Sequence, residues 1–323
     1  MTRLGPLAVP IALIGLAVTG LAAPVISQDS LRKSVRSVLD RAQQRIESRS
    51  DIWADHSQWE SAWEIETDDL VIRTTRSFAF ANSVAVGQQQ MIGWFRSILG
   101  EGAGLQSKLV VNIWPDRTRY NAAGEEFGAD HSSYYGSFLA ARPEGLSVEA
   151  AWDPVAEFDG AGNELFCQMQ ITHSLLHGYV AQAFPSASLP TWTIEGLAEY
   201  FANYWSKNWA MARLQLVRNE NRQVDVGDLL VTSEADFNDS QANARMITLG
   251  MLFVWLMEHR EDSKLQPLVK DQPAEGPFLS FLLAGLRGQD MDTHPFRRTL
   301  GDVEALLEEF NAWSLPEDSA DGR

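Results

Sequence analysis

The stretch Ile171-Thr172-His173-Ser174-Leu175-Leu176-His177-Gly178, followed by Leu189-Pro190-Thr191-Trp192-Thr193-Ile194-Glu195-Gly196-Leu197-Ala198-Glu199-Tyr200-Phe201, carries the reading of the whole chain. His173 and His177 stand four apart, so on a helix both imidazoles leave the same face and can meet one ion. That helix is expected to stop near Phe184-Pro185. A loop containing Pro190 then turns the chain back, and Glu195 opens a second helix that lies against the first. The result is a carboxylate brought to two imidazoles, the two-His, one-Glu set of a catalytic zinc site with a fourth position open to water. Glu199, one turn beyond Glu195, points the same way and is placed to hold the second ring N–H of a ligating imidazole, that of His173. In the competing reading the two glutamates are a solvated helix face and the histidines are ordinary. The flanking Leu175, Leu176, Val180, Leu197 and Phe201 weigh against it, because they place the polar groups between packed helices.

Working outward from this stretch, residues 163–184, 194–218, 241–259, 277–287 and 302–313 all carry helical periodicity, and no strand is expected after Gly160-Ala161-Gly162. The chain before it reads differently. Asp69 to Thr75 and Lys108 to Trp114 are β-branched, apolar runs that predict strands, with a helix over residues 80–99 closed by Gly100. Tyr134 to Ala140 and Leu146 to Ala150 predict two more extended runs joined by Arg142-Pro143-Glu144-Gly145, a turn sequence. The expected fold class is α+β, a small mixed β-sheet layer followed by a mainly helical half. The expected divisions are a sheet-containing part over 65–160, a helical part carrying the metal site over 161–315, and a mobile acidic tail over 316–323.

Residues 1–27 have the shape of a signal peptide: Arg3, then an uncharged apolar run from Leu4 to Ser27, with small residues Gly20, Ala22 and Ala23 near its end. An exported protein, periplasmic or secreted, is therefore expected, with a single uncleaved N-terminal membrane anchor as the alternative. No cysteine lies near this stretch, which excludes a lipid anchor. Residues 28–64 are read as an amphipathic helix, through Leu31, Val35, Leu39 and Ile46, and a linker. The single cysteine, Cys167, excludes disulfides and cysteine-rich zinc sites within the chain, so any metal must be held by His and carboxylates. Asp and Glu number 43 against 26 Lys and Arg, a formal charge of −17 that repels nucleic acid.

The segment resembles the gluzincin branch of zinc metallopeptidases, the peptidase MA group. In that family the active-site helix reads His-Glu-x-x-His, and the next helix carries the third ligand in a Trp-x-x-Glu-Gly-x-Ala-x-Tyr pattern. Trp192, Glu195, Gly196, Ala198 and Tyr200 match every fixed position of the second pattern, and 17 residues separate His177 from Glu195. The likeness spans roughly residues 65–260, including the strand 108–114 with Asp116 to Tyr120, and is specific only at 192–201. It implies a zincin-like fold, one zinc ion on His173, His177 and Glu195, and a peptide or protein ligand.

One departure decides what the resemblance implies for activity. The family's general base follows the first histidine, and here that position is Ser174. A general base typically contributes about two to four orders of magnitude in rate, and an unactivated hydroxyl cannot replace it. Glu164, nine residues before His173, falls on the opposite helix face. The expectation is an exported gluzincin-fold protein that keeps its zinc site and has lost or strongly reduced peptidase activity. The alternatives are an active zinc hydrolase with an unrecognised base and a metal-free envelope domain that binds peptide or glycan. Tyr204, His259 and His294 are the candidate oxyanion donors. His131 beside Ser132 and Ser133 makes no serine-hydrolase elbow. Among the tryptophans, Trp94, Trp114 and Trp255 are expected in the core, whereas Trp53, Trp59, Trp205 and Trp209 are candidate surface contacts for a carbohydrate. Cys167 is expected to be a buried small hydrophobe.

Overall fold

A computed structural model describes residues 55–126, 136–143, 145–152, 160–219, 224, 226–230, 242–260, 276–291 and 303–314. The expected signal peptide, N-terminal helix and acidic tail, with Trp53, His131 and His294, lie outside these residues. The fold is α+β. Five strands form one sheet: β1 (Trp63–Glu66), β2 (Leu70–Thr74), β3 (Leu109–Trp114), β4 (Ser137–Arg142) and β5 (Gly145–Ala151). Their order is β1-β2-β3-β5-β4. β2, β3 and β5 run parallel, and β1 and β4 are antiparallel edges.

Strand alternation sorts the side chains into two faces. Leu70 and Ile72, Leu109, Val111 and Ile113, and Val148 and Ala150 are buried on the inner face. Against that face pack α1 (Phe78–Leu99) and α3 (Gly160–Ala183), through residues such as Val84, Ile92, Phe95, Ile171, Leu175 and Tyr179. α1 begins where the Ser77 hydroxyl accepts the Phe80 amide and ends at Gly100, whose φ of 89° suits glycine alone. α2 (Arg117–Glu126) lies beyond β3. The helical half continues with α4 (Thr191–Ala202), α5 (Lys207–Asn219), the short α6 (Val226–Leu229), α7 (Ala242–Val254) with a π turn over Trp255–His259, α8 (Pro277–Leu286) and α9 (Val303–Ser314). One buried apolar cluster runs through both halves, from Ile65 on β1 to Phe310 on α9. No helix of the described residues is long and apolar enough to cross a membrane.

The expected helix over 194–218 is two helices. α4 stops at Ala202, a 3-10 turn spans Asn203–Trp205, and Ser206 is extended at φ −161° before α5 begins. The break has a cause in the packing: the Trp205 indole N–H donates to Thr172 Oγ1 at 2.7 Å, which pulls the turn back onto α3. Thr172 in turn donates to Gln88 of α1 at 2.9 Å, so α1, α3 and the turn meet beside His173. β1 and α2 were not expected. β1 has only four residues, two of them Glu, and α2 buries only Tyr120, Ala123 and Gly124 of its ten, too little to leave a periodic apolar trace.

Candidate metal centre

α3 and α4 are joined by a short loop whose Pro190 sits immediately before the first residue of α4, and they pack against each other. α7 supports α4 from behind at very close range. A Cβ on Gly196 would fall 2.3 Å from the Phe253 ring, and one on Gly250 would fall 2.9 Å from Glu199 Cβ. These two glycines let the helix that carries Glu195 and Glu199 seat without side-chain obstruction.

The donor atoms then converge. His173 Nε2 and His177 Nε2 are 3.2 Å apart. Glu195 Oε2 lies 3.3 Å from the first and Glu195 Oε1 3.5 Å from the second. Ligands at about 2.0–2.1 Å from a tetrahedral zinc are separated by roughly 3.3 Å, so the three groups stand at ligand spacing. His173, His177 and Glu195 could therefore hold a metal ion. Glu199, 5% exposed, presents Oε1 at 3.1 Å from His173 Nδ1, which leaves Nε2 for the ion. Electrostatics agree with an ion-seeking set. Burial alone would lower the His173 pKa, but hydrogen bonds to Glu195 and Glu199 and their charges outweigh it and push it up to about 10. Burial would raise Glu195, but the charge of His177 and hydrogen bonds from both imidazoles hold its carboxyl well below the usual carboxylate range. In the absence of an ion, a proton does the ion's work.

The donors border a cavity of about 280 Å³ whose other wall is Ser137, Phe138 and Leu139 of β4, with Met246 of α7 and Ser174. Ser174 is 3% exposed, and its Oγ lies 2.7 Å from Ser137 Oγ. Ser137 donates its own proton to the Gln170 carbonyl at 2.7 Å, so Ser174 must be the donor in the hydroxyl pair. Glu195 is the only carboxylate among the described lining residues. Ser137, Phe138 and Met246 carried no site signal in the sequence, because each reaches the cavity by tertiary placement alone.

The remaining candidates lie elsewhere. Tyr204 is 44% exposed, with its ring 4.4 Å from that of Trp94 on α1. The His259 ring faces Trp313 at 4.9 Å. Neither lines the cavity. Glu164 accepts from Ser83 of α1. Cys167 is fully buried, and its thiol pKa is pushed up to about 12 by burial. Trp94 and Trp255 are core residues, but Trp114 is not: it sits on the outer face of β3, half-buried and stacked on Trp59. Strand alternation explains the correction, since Leu109, Val111 and Ile113 take the inner face and Trp114 the other. No protein-family model matches the chain. No curated protein matches it either.

Proposed function

We propose that the protein is an exported, gluzincin-like zinc protein that engages a peptide or protein ligand and whose peptidase activity is lost or strongly reduced. The observation that carries this reading is Ser174. A divalent ion on two imidazoles and a carboxylate supplies Lewis acidity and lowers the pKa of water. Hydrolysis then needs a group that takes a proton and returns it to the leaving amine. Ser174 stands where that group belongs, buried and donating to Ser137, and its hydroxyl can orient a donor but not accept its proton at neutral pH. Glu195 is committed to the histidines.

The ligand reading is supported by β4. The Ala151 amide donates to the Gly136 carbonyl, so in the antiparallel pair residues 138, 140 and 142 turn their main-chain groups toward β5. Those of Ser137, Leu139 and Ala141 point to the edge on which no other described strand pairs, and Ser137 and Leu139 border the cavity. An extended peptide can add to that edge. Export rests on the uncharged run Leu4 to Ser27.

Zinc analysis and hydrolysis of casein and a mixed peptide library test the reading. The natural protein is expected to hold about one equivalent of zinc and to cleave negligibly. Ser174→Glu is expected to gain chelator-sensitive cleavage. Robust cleavage by the natural protein, abolished by His177→Ala, would overturn the loss of activity.

A further inference from the structure

The outer face of the sheet, opposite α1 and α3, holds a second and larger concavity of about 640 Å³, within the range of small-molecule sites. Its floor is made by the side chains of β2, β3 and β5 that point away from the helices, among them Val71, Val110, Asn112 and Ser147. One wall is the indole pair Trp59 and Trp114, stacked with centroids 4.0 Å apart. The opposite wall is the flank of α2, with Arg119 and Glu126, and the β4–β5 hairpin adds Arg142.

The register places Glu64, Arg73, Asn112 and Glu149 in one row across four strands. Glu149 is fully buried beneath the floor, where Arg142 meets it at 2.9 Å and the Trp114 indole at 2.8 Å. Asn112 is 4% exposed and donates Nδ2 to Glu149 at 2.9 Å. That bond fixes the amide and leaves Oδ1 a buried acceptor with no partner among the described residues.

We propose that this concavity binds a short uncharged saccharide. Three features select that chemistry. First, β2, β3 and β5 each have a strand on both sides, so their main-chain groups are spent within the sheet and no peptide strand can add here. Recognition must come from side chains. Second, each arginine at the site faces a carboxylate: Arg142 with Glu149, Arg73 with Glu64 at 3.8 Å, and Arg119 with Asp116 at 3.8 Å. No cationic charge is left uncompensated for a phosphate or a carboxylate. Third, a sugar ring offers what the lining takes. Its hydroxyls donate to Glu126 and accept from Arg119. Its C–H faces pack on Val71, Val110 and the indoles. The site is independent of the metal centre, which lies across the sheet on α3 and α4.

Calorimetric and tryptophan-fluorescence titration of the full chain with neutral tetrasaccharides of the cello, xylo, manno and chito series tests the proposal, with oligogalacturonate as the acidic counterpart. At least one neutral probe is expected to bind. Trp59→Ala and Arg119→Ala should each weaken it about tenfold or more, while His177→Ala leaves it unchanged. Arg119 is exposed on a helix, so its variant keeps the test valid should Trp59→Ala fold poorly. The proposal is overturned if no neutral probe binds, if only oligogalacturonate binds, or if Arg119→Ala leaves the affinity unchanged. Zinc content measured on the same samples reports on the other site separately.

Discussion

Two glutamates, Glu149 fully buried in the sheet and Glu195 half-buried between the helices, answer the same physical problem in different ways. Glu149 has no solvent exposure and is surrounded by donors: Asn112 Nδ2, the Trp114 indole, the Ser147 hydroxyl and the Arg142 guanidinium. Every group there donates to a single anion, so the charge of Glu149 is met within the cluster and needs no ion. Around Glu195 the composition is reversed. Two imidazole nitrogens face each other at 3.2 Å, with carboxylate oxygens on the same side. Acceptor atoms converge, and a cation among them, a proton or a metal ion, removes the repulsion. A buried polar cluster is thus structural or ligand-seeking according to whether donors and acceptors balance within it, and burial alone does not distinguish the two.

The sharpest test of this contrast is to exchange the expected losses. His173→Ala or Glu195→Ala should abolish tight zinc binding while leaving the protein folded, as read by metal analysis after dialysis and by circular dichroism. Glu149→Ala should do the reverse. It strands the Arg142 guanidinium and three other donors at the floor of the sheet, and removal of one partner of a buried pair is worth about 3–5 kcal/mol. Urea unfolding should report a loss of that order, and the folded fraction should keep its zinc. Zinc loss in the Glu149 variant without a loss of stability would erase the distinction.

A smaller effect separates the ligands from the residue that orients them. Glu199→Ala removes the acceptor on His173 Nδ1 and should weaken zinc about ten- to a hundredfold, measured by chelator competition. Gly250→Ala places a methyl 2.4 Å from Asn203 Nδ2 and 2.9 Å from Glu199 Cβ. It should weaken zinc in the same direction without touching a ligand, because α4 must move. Unchanged affinity in both variants would mean that the three ligands need no support.

The same contrast explains how far the sequence could be read. The approach of Glu195 to His173 and His177 is encoded locally, by an i, i+4 pair, a loop with two prolines and a second amphipathic helix. β2, β3, β5 and the long helices were legible because their apolar residues repeat with the period of their own element. The insertion of β5 between β3 and β4, the Ser137–Ser174 pair and the row Glu64-Arg73-Asn112-Glu149 all depend on which strand lies beside which, and nothing local records that. Trp114 illustrates the limit. Within Leu109 to Trp114 it looks as apolar as its neighbours, and only the half-buried outer face of β3, with Trp59 on it, gives it a different role.

The smallest effect is the dependence of stability on pH, where the sign tests what fills the candidate metal centre. In the metal-free protein the raised pKa of His173 means that its protonated form is stabilised by folding. That contribution is fully present below its ordinary value of 6.5 and is lost as pH rises toward about 10. Glu195 acts oppositely: its lowered pKa gives a contribution present above 4.5 and lost in acid. The metal-free protein should therefore lose stability between pH 6.5 and 9, seen as a falling Tm. Zinc binds the neutral imidazole, so the stability it adds increases over the same interval. The Tm of the zinc-loaded protein should be flat or rising there. His173→Ala should remove the difference between the two curves, while Arg119→Ala, on the far side of the sheet, should leave both as they are. Parallel curves with and without zinc would show that the ion does not displace the proton held by His173, and the assignment of that nitrogen as a ligand would fall.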